Sequence, residues 1–251
     1  MSAFESYARC YDLLYREKDY VGEARSIDAR LRAAGVRGDT MLDVGCGTGA
    51  HVREFSKLGW KPTGVDLSAD MIGIARARTP GEWGIEYHNG AAATFTLGGT
   101  FEAVVSLFHV VSYQCGPGEA LQMFTNVRRH LAPAGLFFFD FWHGPGVLVD
   151  PPAVRVRRVE DEQMRVIRIS EPAHQPVNCR IDVAYEVLVE DKATNHVERL
   201  RELHRLRYFF RPELELMLGQ AGFRVEWFGG GLGEKELEDR DWHGAVLARA
   251  I

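Results

Sequence analysis

The sequence has few cysteines, no long apolar run and no excess of basic charge, and each absence excludes a class of protein. Its four cysteines, at positions 10, 46, 115 and 179, show no paired spacing. Neither a zinc site nor a disulfide framework is indicated, and a reducing cytoplasm is the expected location. No apolar run approaches the length of about eighteen residues that a membrane-spanning helix needs. Charged residues spread over 5–19 stand where a signal peptide would have its apolar core.

The charge balance narrows the choice of partner. A formal net charge of −5 argues against a nucleic-acid partner held mainly by phosphate contacts. Five arginines cluster between 155 and 168, but the acids of 160–162 interleave with them, which favours a solvated strand face. The 251 residues suffice for one sizeable core, or for one core with a small annex. We therefore expect a globular protein whose partner is a small molecule.

What the sequence does contain is a glycine loop between an apolar strand and a helix. Segment 42–50 reads LDVGCGTGA, and segment 63–66, TGVD, ends a second strand in an acid, Asp66. Alternate glycines let a ligand lie directly against the backbone. A glycine loop after strand one and an acid after strand two are typical of a nucleoside-binding half of an open α/β sheet.

The spacing of the loop argues against a dinucleotide. It is G-x-G-x-G, with Ala50 where the dinucleotide pattern continues, and no phosphate-binding P-loop occurs. Asp43, just before the loop, would repel a pyrophosphate but suits a cationic ligand. S-adenosylmethionine fits, with a sulfonium, an amino group and a ribose diol for Asp66. The alternative is a merely tight turn between strand and helix. Here the sequence resembles the class I S-adenosylmethionine-dependent methyltransferases.

The pattern of elements agrees with that fold class. Strands and amphipathic helices alternate up to about residue 150, which indicates a parallel sheet covered on both faces. Residues 151–208 switch to period-two alternation, which predicts three or four antiparallel strands. We expect an α/β, Rossmann-like seven-stranded methyltransferase sheet whose last strand is antiparallel, formed by 1–150 and 209–251. The inserted segment 151–208, the β annex, would shape a substrate pocket or a homodimer interface. The expected strands of the main sheet are 41–44, 62–66, 85–88, 103–107, 136–141, 223–228 and 245–250.

The resemblance extends over nearly the whole chain. Segment 11–15, YDLLY, with 18–20, KDY, looks like the N-terminal signature of bacterial sugar N-methyltransferases, which dimethylate the amine of nucleotide-linked aminosugars. Segments 106–113, SLFHVVSY, and 139–145, FDFWHGP, resemble a broader bacterial group found in polysaccharide and aminosugar pathways. These motifs specify cofactor and fold strongly and substrate weakly.

The resemblance also implies site residues. It places Tyr15 near the reacting amine. One departure is the run 89–92, NGAA, where related enzymes carry an acid that contacts the adenine amino group; here adenine would meet backbone groups and apolar walls. The expected cofactor residues are Tyr20, Asp43, Gly45, Cys46, Gly47, Asp66, Leu67, Met71, Ala91, Ala92 and Leu107.

Methyl transfer needs alignment of the nucleophile, the methyl group and the sulfur. A neutral amine needs no base during attack, whereas a hydroxyl needs a general base or a metal. His109 follows the fourth strand at the edge where ligands bind, so it is the candidate base or direct substrate contact, the alternative being a histidine bonded to structure. No carboxylates and histidines are spaced as metal ligands, which disfavours a magnesium-dependent O-methyltransferase.

Aromatic residues are the remaining substrate candidates. Tyr7, Tyr11 and Tyr15 could cover the pocket and flank a cation by cation–π attraction, or they could simply pack an aromatic stripe onto the domain. Trp142 and His143 follow strand five, where they could contact substrate or belong to the core.

Several functions are compatible with these patterns. The first is a methyltransferase acting on the amine of an aminosugar, free or nucleotide-linked. The second is an O-methyltransferase on a sugar or natural-product hydroxyl that uses His109 as base. The third is a non-catalytic S-adenosylmethionine-binding module. The loop spacing opposes a fourth, a dinucleotide oxidoreductase.

Overall fold

The computed structural model describes residues 10–11, 13–233 and 235–251, so the predicted substrate residue Tyr7 lies outside the described residues. One mixed sheet runs through the molecule. Its order begins β3-β2-β1-β4-β5, all parallel. These strands are β1 (Thr40–Val44), β2 (Lys61–Asp66), β3 (Glu86–Asn89), β4 (Phe101–Ser106) and β5 (Leu131–His143).

Two C-terminal strands complete the main part of the sheet. β11 (His243–Ala250) pairs antiparallel with both β5 and β10 (Phe223–Gly230). β10 is therefore parallel to the first five strands and β11 alone is reversed. This confirms the predicted seven-stranded methyltransferase sheet with an antiparallel last strand.

The β annex consists of four antiparallel strands in the order β9-β8-β7-β6. Its last strand pairs parallel with the end of β5, where Trp142 lies opposite Tyr208 and His143 opposite Phe209. The β annex thus continues the main sheet at the carboxyl end of β5. Its strands are β6 (Arg155–Glu160), β7 (Met164–Gln175), β8 (Arg180–Asp191) and β9 (Val197–Phe209).

Helices cover both faces of the main sheet. Ser68 caps the helix after β2, as the sequence predicts, because its Oγ accepts from the Met71 N–H at 3.3 Å. No helix among the described residues has the length and apolar character needed to cross a membrane. The helices are α1 (Tyr20–Ala33), α2 (Ala50–Lys57), α3 (Ala69–Arg78), α4 (Glu119–Arg129), α5 (Gly144–Val149) and α6 (Arg211–Gln220), and a short 3-10 helix spans Val110–Tyr113.

The core lies in two layers on either side of the sheet. On one side Phe124 of α4 packs with the buried Phe137 and Phe139 of β5. On the other side Ile27 of α1 and Phe55 of α2 are fully buried. Continuous apolar strands covered on both faces are what a parallel sheet requires.

Candidate functional site

A cleft of about 2550 Å³ opens at the carboxyl ends of the parallel strands. The glycine loop and the residues that follow β2 and β4 line one part of the cleft, and strands of the β annex line the other. A pocket for one small ligand is on the order of 300–1,000 Å³. The cleft therefore has room for a cofactor and a second molecule side by side.

The glycine loop is tied to β2 by its backbone. The N–H groups of Gly45 and Cys46 both donate to the carbonyl of Val65, at 2.7 and 3.0 Å. Gly45 has a φ of 85°, and a Cβ there would lie 2.3 Å from a methyl group of Val110. A side chain at position 45 would therefore be unfavourable for two reasons. The backbone is left-handed, and a Cβ would clash with Val110.

Asp66 closes the loop from the end of β2. Its Oδ2 accepts from the Gly47 N–H and its Oδ1 from the Ser68 N–H, both at 2.8 Å. Burial raises the pKa of Asp66, and these two backbone hydrogen bonds oppose the shift. Each carboxylate oxygen has acceptor capacity beyond one bond, so Asp66, which lines the cleft, can also receive the hydroxyls of a ribose.

Asp43 is a buried acid beneath the loop. It is 2% exposed, and among the described residues its Oδ1 has no hydrogen-bond partner. Burial raises the pKa of Asp43 to about 8, and the charges of Asp66 and Asp140 add to the effect. A buried carboxylate oxygen without a partner costs free energy, and a cationic group placed against it would recover that cost. The residues present therefore fit S-adenosylmethionine, which is both cationic and a ribonucleoside.

Apolar groups beside Asp66 form a wall suited to an adenine ring. Leu67 is 74% exposed and lines the cleft with Met71, Ala91 and Ala92. Asn89 Nδ2 donates to the Leu67 carbonyl at 2.8 Å, which ties the two loops together. All the cofactor residues expected from the sequence line the cleft, and these are Tyr20, Asp43, Gly45, Cys46, Gly47, Asp66, Leu67, Met71, Ala91, Ala92 and Leu107.

His109 lies on a turn with left-handed backbone. Its φ is 63° and that of Phe108 is 65°. Its ring stacks on that of His243, with centroids 4.6 Å apart and planes 9° apart. Burial lowers the pKa of His109 to about 3, and the positive charge of Lys18 contributes. The imidazole is therefore neutral at pH 7 and holds a proton weakly.

The tyrosines near the N-terminus form an aromatic cluster over Phe108. The Tyr15 ring lies 4.7 Å from that of Tyr11 and meets that of Phe108 edge-on at 4.9 Å. The Tyr15 hydroxyl accepts from Arg168 Nη1 at 2.7 Å. Tyr11 and Tyr15 both line the cleft, so this cluster links the N-terminal segment to the β annex.

Tyr20 lies at the cofactor end of the cleft. Its ring meets that of His51 edge-on at 4.8 Å, and burial raises its pKa to about 12, with the charge of Glu23 contributing. His51 Nε2 is 2.7 Å from Glu23 Oε2, and Lys18 pairs with the same carboxylate. These contacts place Lys18 above the Phe108 ring, 4.8 Å from its centroid.

Of the two candidates after strand five, the structure brings only Trp142 into the cleft. Trp142 packs against Trp242, with ring centroids 5.0 Å apart. His143 is 4% exposed, and its Nδ1 is 2.9 Å from the Asp241 carbonyl. Successive strand residues point to opposite faces, so the two side chains separate. His143, predicted as a substrate contact, therefore lies outside the lining of the cleft.

Sequence reasoning missed the residues that the β annex contributes. Glu202 and His204, two apart on β9, line the cleft together with Tyr185 and Arg168, and Tyr113 lies across from them. Period-two alternation predicts that Glu202 and His204 share a face, but it does not say which face meets the cleft. No three histidine, cysteine or acidic side chains in the described ranges are grouped to hold a metal ion.

Comparison with known proteins agrees with this geometry. A family model described as a methyltransferase domain matches residues 41–135. The dTDP-3-amino-3,6-dideoxy-alpha-D-glucopyranose N,N-dimethyltransferase of Streptomyces fradiae is 33% identical over 226 residues, covering 89% of this chain and 86% of that protein. This likeness includes the β annex as well as the glycine loop.

Two solved structures have the same overall fold over nearly their whole length. The Streptomyces venezuelae protein DesVI has a TM-score of 0.81 and 29% identity, with 98% of both chains covered. S-adenosylmethionine-bound CalS10, an amino pentose methyltransferase from Micromonospora echinaspora, has a TM-score of 0.76 and 29% identity, covering 100% of this chain and 98% of that chain.

Proposed function

Because this chain belongs to the S-adenosylmethionine-dependent methyltransferases, we propose that it methylates the amine of a small molecule, an aminosugar linked to a nucleotide. The observation that carries the proposal is one continuous cleft. At one end lie Asp43 and Asp66, which suit the cofactor, and at the other lies the β annex with several arginines. The relatives named for dTDP-aminosugar and amino pentose methylation align over both parts.

The cofactor end has a group for each part of S-adenosylmethionine, which supplies a methyl group on a sulfonium when it is bound. Asp66 receives the ribose hydroxyls and Asp43 faces the amino group. Leu67 and Met71 pack against adenine where the acid of related enzymes is absent. Gly45 lets the ligand lie against the main chain.

The acceptor amine would lie between the Tyr15 cluster and His109. A neutral imidazole accepts a hydrogen bond, so His109 can hold an N–H of the amine and direct its lone pair toward the methyl group. Tyr11, Tyr15 and Trp142 wall this space and exclude water. Positioning of this kind is the main contribution a protein makes to an in-line transfer.

The nucleotide would extend along the β annex. Arg155 and Arg157 of β6 alternate toward the same face as Arg168 of β7, which pairs directly with Arg157, and all three line the cleft. Guanidinium groups bind phosphate oxygens through paired hydrogen bonds. The basic strands that the sequence suggested as a solvated face thus become a phosphate-binding wall in this proposal.

A hydroxyl acceptor is the less favoured reading because it needs a strong base. The pKa of His109 is lowered to about 3 by burial, which makes it a poor acceptor for a hydroxyl proton.

The β annex also has exposed apolar side chains outside the cleft, those of Val177 and Val197. We propose that a homodimer forms there, and a monomer in analytical ultracentrifugation would contradict it.

The main proposal is tested by incubating the protein with S-adenosylmethionine and matched dTDP-sugars that carry either an amine or a hydroxyl at the same carbon. Mass spectrometry should show methyl groups added to the amine compounds only. Asp66→Ala serves as the cofactor-binding control and should lose the reaction. Methylation of the hydroxyl compounds alone, or of neither, would overturn the proposal.

A further inference from the structure

A chain of hydrogen bonds connects the 3-10 helix after β4 to the β annex across the cleft. The Tyr113 hydroxyl is 2.8 Å from His204 Nδ1, and His204 Nε2 is 2.7 Å from Glu202 Oε2. A carboxylate oxygen accepts, so we assign the N–H of this pair to Nε2 and the acceptor role to Nδ1. The Tyr113 O–H therefore donates to His204, and its oxygen can accept from a third group.

Tyr113, His204 and Glu202 differ in how far they are exposed. Tyr113 is 44% exposed and lines the cleft, whereas the side chains of His204 and Glu202 are 20% and 19% exposed. All three residues line the cleft, and Tyr113 is the most exposed of them. Along the hydrogen bonds Tyr113 is followed by His204 and then by Glu202, which is the order in which a proton would travel from a bound molecule toward the carboxylate.

Ring and charge contacts connect His204 to Tyr15, beside which the amine is proposed to lie. The Tyr185 ring meets that of His204 edge-on at 4.7 Å, and Arg168 lies 5.0 Å from the centroid of Tyr185. Arg168 in turn donates to the hydroxyl of Tyr15. Within the described part of the chain, the titratable or charged groups in contact with His204 include Glu202 on its own strand, Tyr185 on β8 and Tyr113 on the 3-10 helix, with Arg168 against the far side of Tyr185.

The proposed reaction needs such a chain. An alkyl amine enters at neutral pH as an ammonium ion, which has no lone pair, so a proton must leave before the nitrogen can attack. His109 takes up a proton only at low pH, since burial has lowered its pKa to about 3. His204 differs from His109 in that its Nε2 is hydrogen-bonded to a carboxylate, that of Glu202, which leaves Nδ1 to accept a proton.

We propose that Tyr113, His204 and Glu202 form a proton relay that converts the bound ammonium group into the nucleophilic amine. The ammonium N–H bond breaks and its proton moves to the Tyr113 oxygen, while the Tyr113 hydroxyl proton moves to His204 Nδ1. The amine keeps the electron pair, and the imidazolium is paired with Glu202. The relay rests on the proposed amine methylation, and it assigns proton removal and amine positioning to different residues.

The decisive variant is Tyr113→Phe, which removes only the hydroxyl. Below the pKa of the substrate amine, kcat should fall by at least about tenfold, the low end of losses for a proton-transfer group, with KM within about twofold of wild type. Above that pKa the amine arrives neutral, and kcat should return close to the wild-type value. His204→Gln should show the same dependence on pH. A structural role would lower kcat at every pH.

The chain offers a matched control outside the cleft. His88 on β3 is 3.2 Å from Glu86, two residues earlier, the same spacing as His204 and Glu202. His88→Gln should leave the pH profile unchanged. Binding of S-adenosylhomocysteine to Tyr113→Phe, measured by calorimetry, should match wild type, because the hydroxyl serves the substrate.

The outcomes separate the two proposals. Wild-type protein that methylates no amine at any pH would overturn the proposed function, and the relay with it. Wild-type protein that methylates the amine while Tyr113→Phe keeps full kcat at low pH would overturn the relay alone. A deficit of equal size across the pH range would also overturn it, because it would show a structural role.

Discussion

The carboxylate of Asp140 lies against both the backbone and the ring of His109. Its Oδ1 accepts from the His109 backbone N–H at 2.8 Å, and its Oδ2 lies 3.1 Å from His109 Nδ1, outside hydrogen-bond geometry. The turn needs this support because Phe108 and His109 both have left-handed φ values, which cost free energy in residues with a Cβ. Asp140 thereby sets where the imidazole meets the cleft.

Replacing Asp140 should reduce the stability of the fold. Asp140→Ala should lower the free energy of unfolding by about 1–3 kcal/mol, the cost of leaving a buried donor unpaired. Asp140→Asn keeps an acceptor for the His109 N–H and should lose less. Denaturant titration measures the free energy of unfolding of both variants. If the two variants were as stable as the wild type, Asp140 would not support the turn at His109.

Removal of the Asp66 carboxylate should weaken cofactor binding. Asp66→Ala loses the proposed ribose contacts and also frees the Gly47 N–H that the carboxylate holds at 2.8 Å. We expect calorimetry to show at least about a tenfold weaker affinity for S-adenosylhomocysteine, as for the loss of one charged hydrogen bond. Asp239→Ala, at an exposed acid, is the control. Unchanged affinity of Asp66→Ala would remove the ribose assignment.

Asp43 should make the ligand-free protein less stable as the pH rises. Its pKa is raised by burial from the ordinary 3.8 to about 8 in the folded protein. Between these values the folded state holds the proton and the unfolded chain does not, so the free energy of unfolding falls with rising pH and levels off above about 8. Asp43→Asn has no carboxyl group to ionise, so this fall in the free energy of unfolding should be absent.

The measurement is the melting temperature of both proteins from pH 5 to pH 8 without ligand. Asp43→Asn should melt higher at pH 8, by about 2–4 °C for each kcal/mol recovered, and the difference should shrink toward pH 5. The same variant should bind S-adenosylmethionine poorly because it cannot pair with the amino group. Parallel melting curves at all pH values would contradict the role of the buried charge.

His109 should affect positioning and leave the proton step intact. His109→Asn suits a left-handed backbone and removes the ring. Loss of one oriented hydrogen bond, worth about 1 kcal/mol, should lower kcat by about fivefold. The deficit should stay constant across pH, in contrast to Tyr113→Phe. Full recovery at alkaline pH would instead make His109 the proton acceptor.

Much of the cofactor end was predictable from the sequence because its determinants are local. The glycines of the loop, the acid at the end of β2 and the Ser68 cap each depend on residues a few positions apart. The parallel sheet brings Asp43 and Asp66 together as soon as β1 and β2 pair. The missing acid in 89–92 was also visible, and the structure shows an apolar wall with Leu67 at that place.

The substrate end was not predictable in the same way, because it is made by contacts between distant parts of the chain. Tyr113 and His204 are 91 positions apart and meet only because β9 joins the end of β5. Alternation within a strand says that Trp142 and His143 diverge, but packing decides which of them faces the cleft.

The sequence by itself therefore determined the fold class and the conformation of the glycine loop, since short-range spacing and backbone freedom specify both. Only the tertiary structure decided which polar side chains of the β annex face the cleft and which histidine rings acquire a carboxylate neighbour. Those properties depend on the burial and the neighbours that each side chain acquires when the β annex packs against the sheet edge.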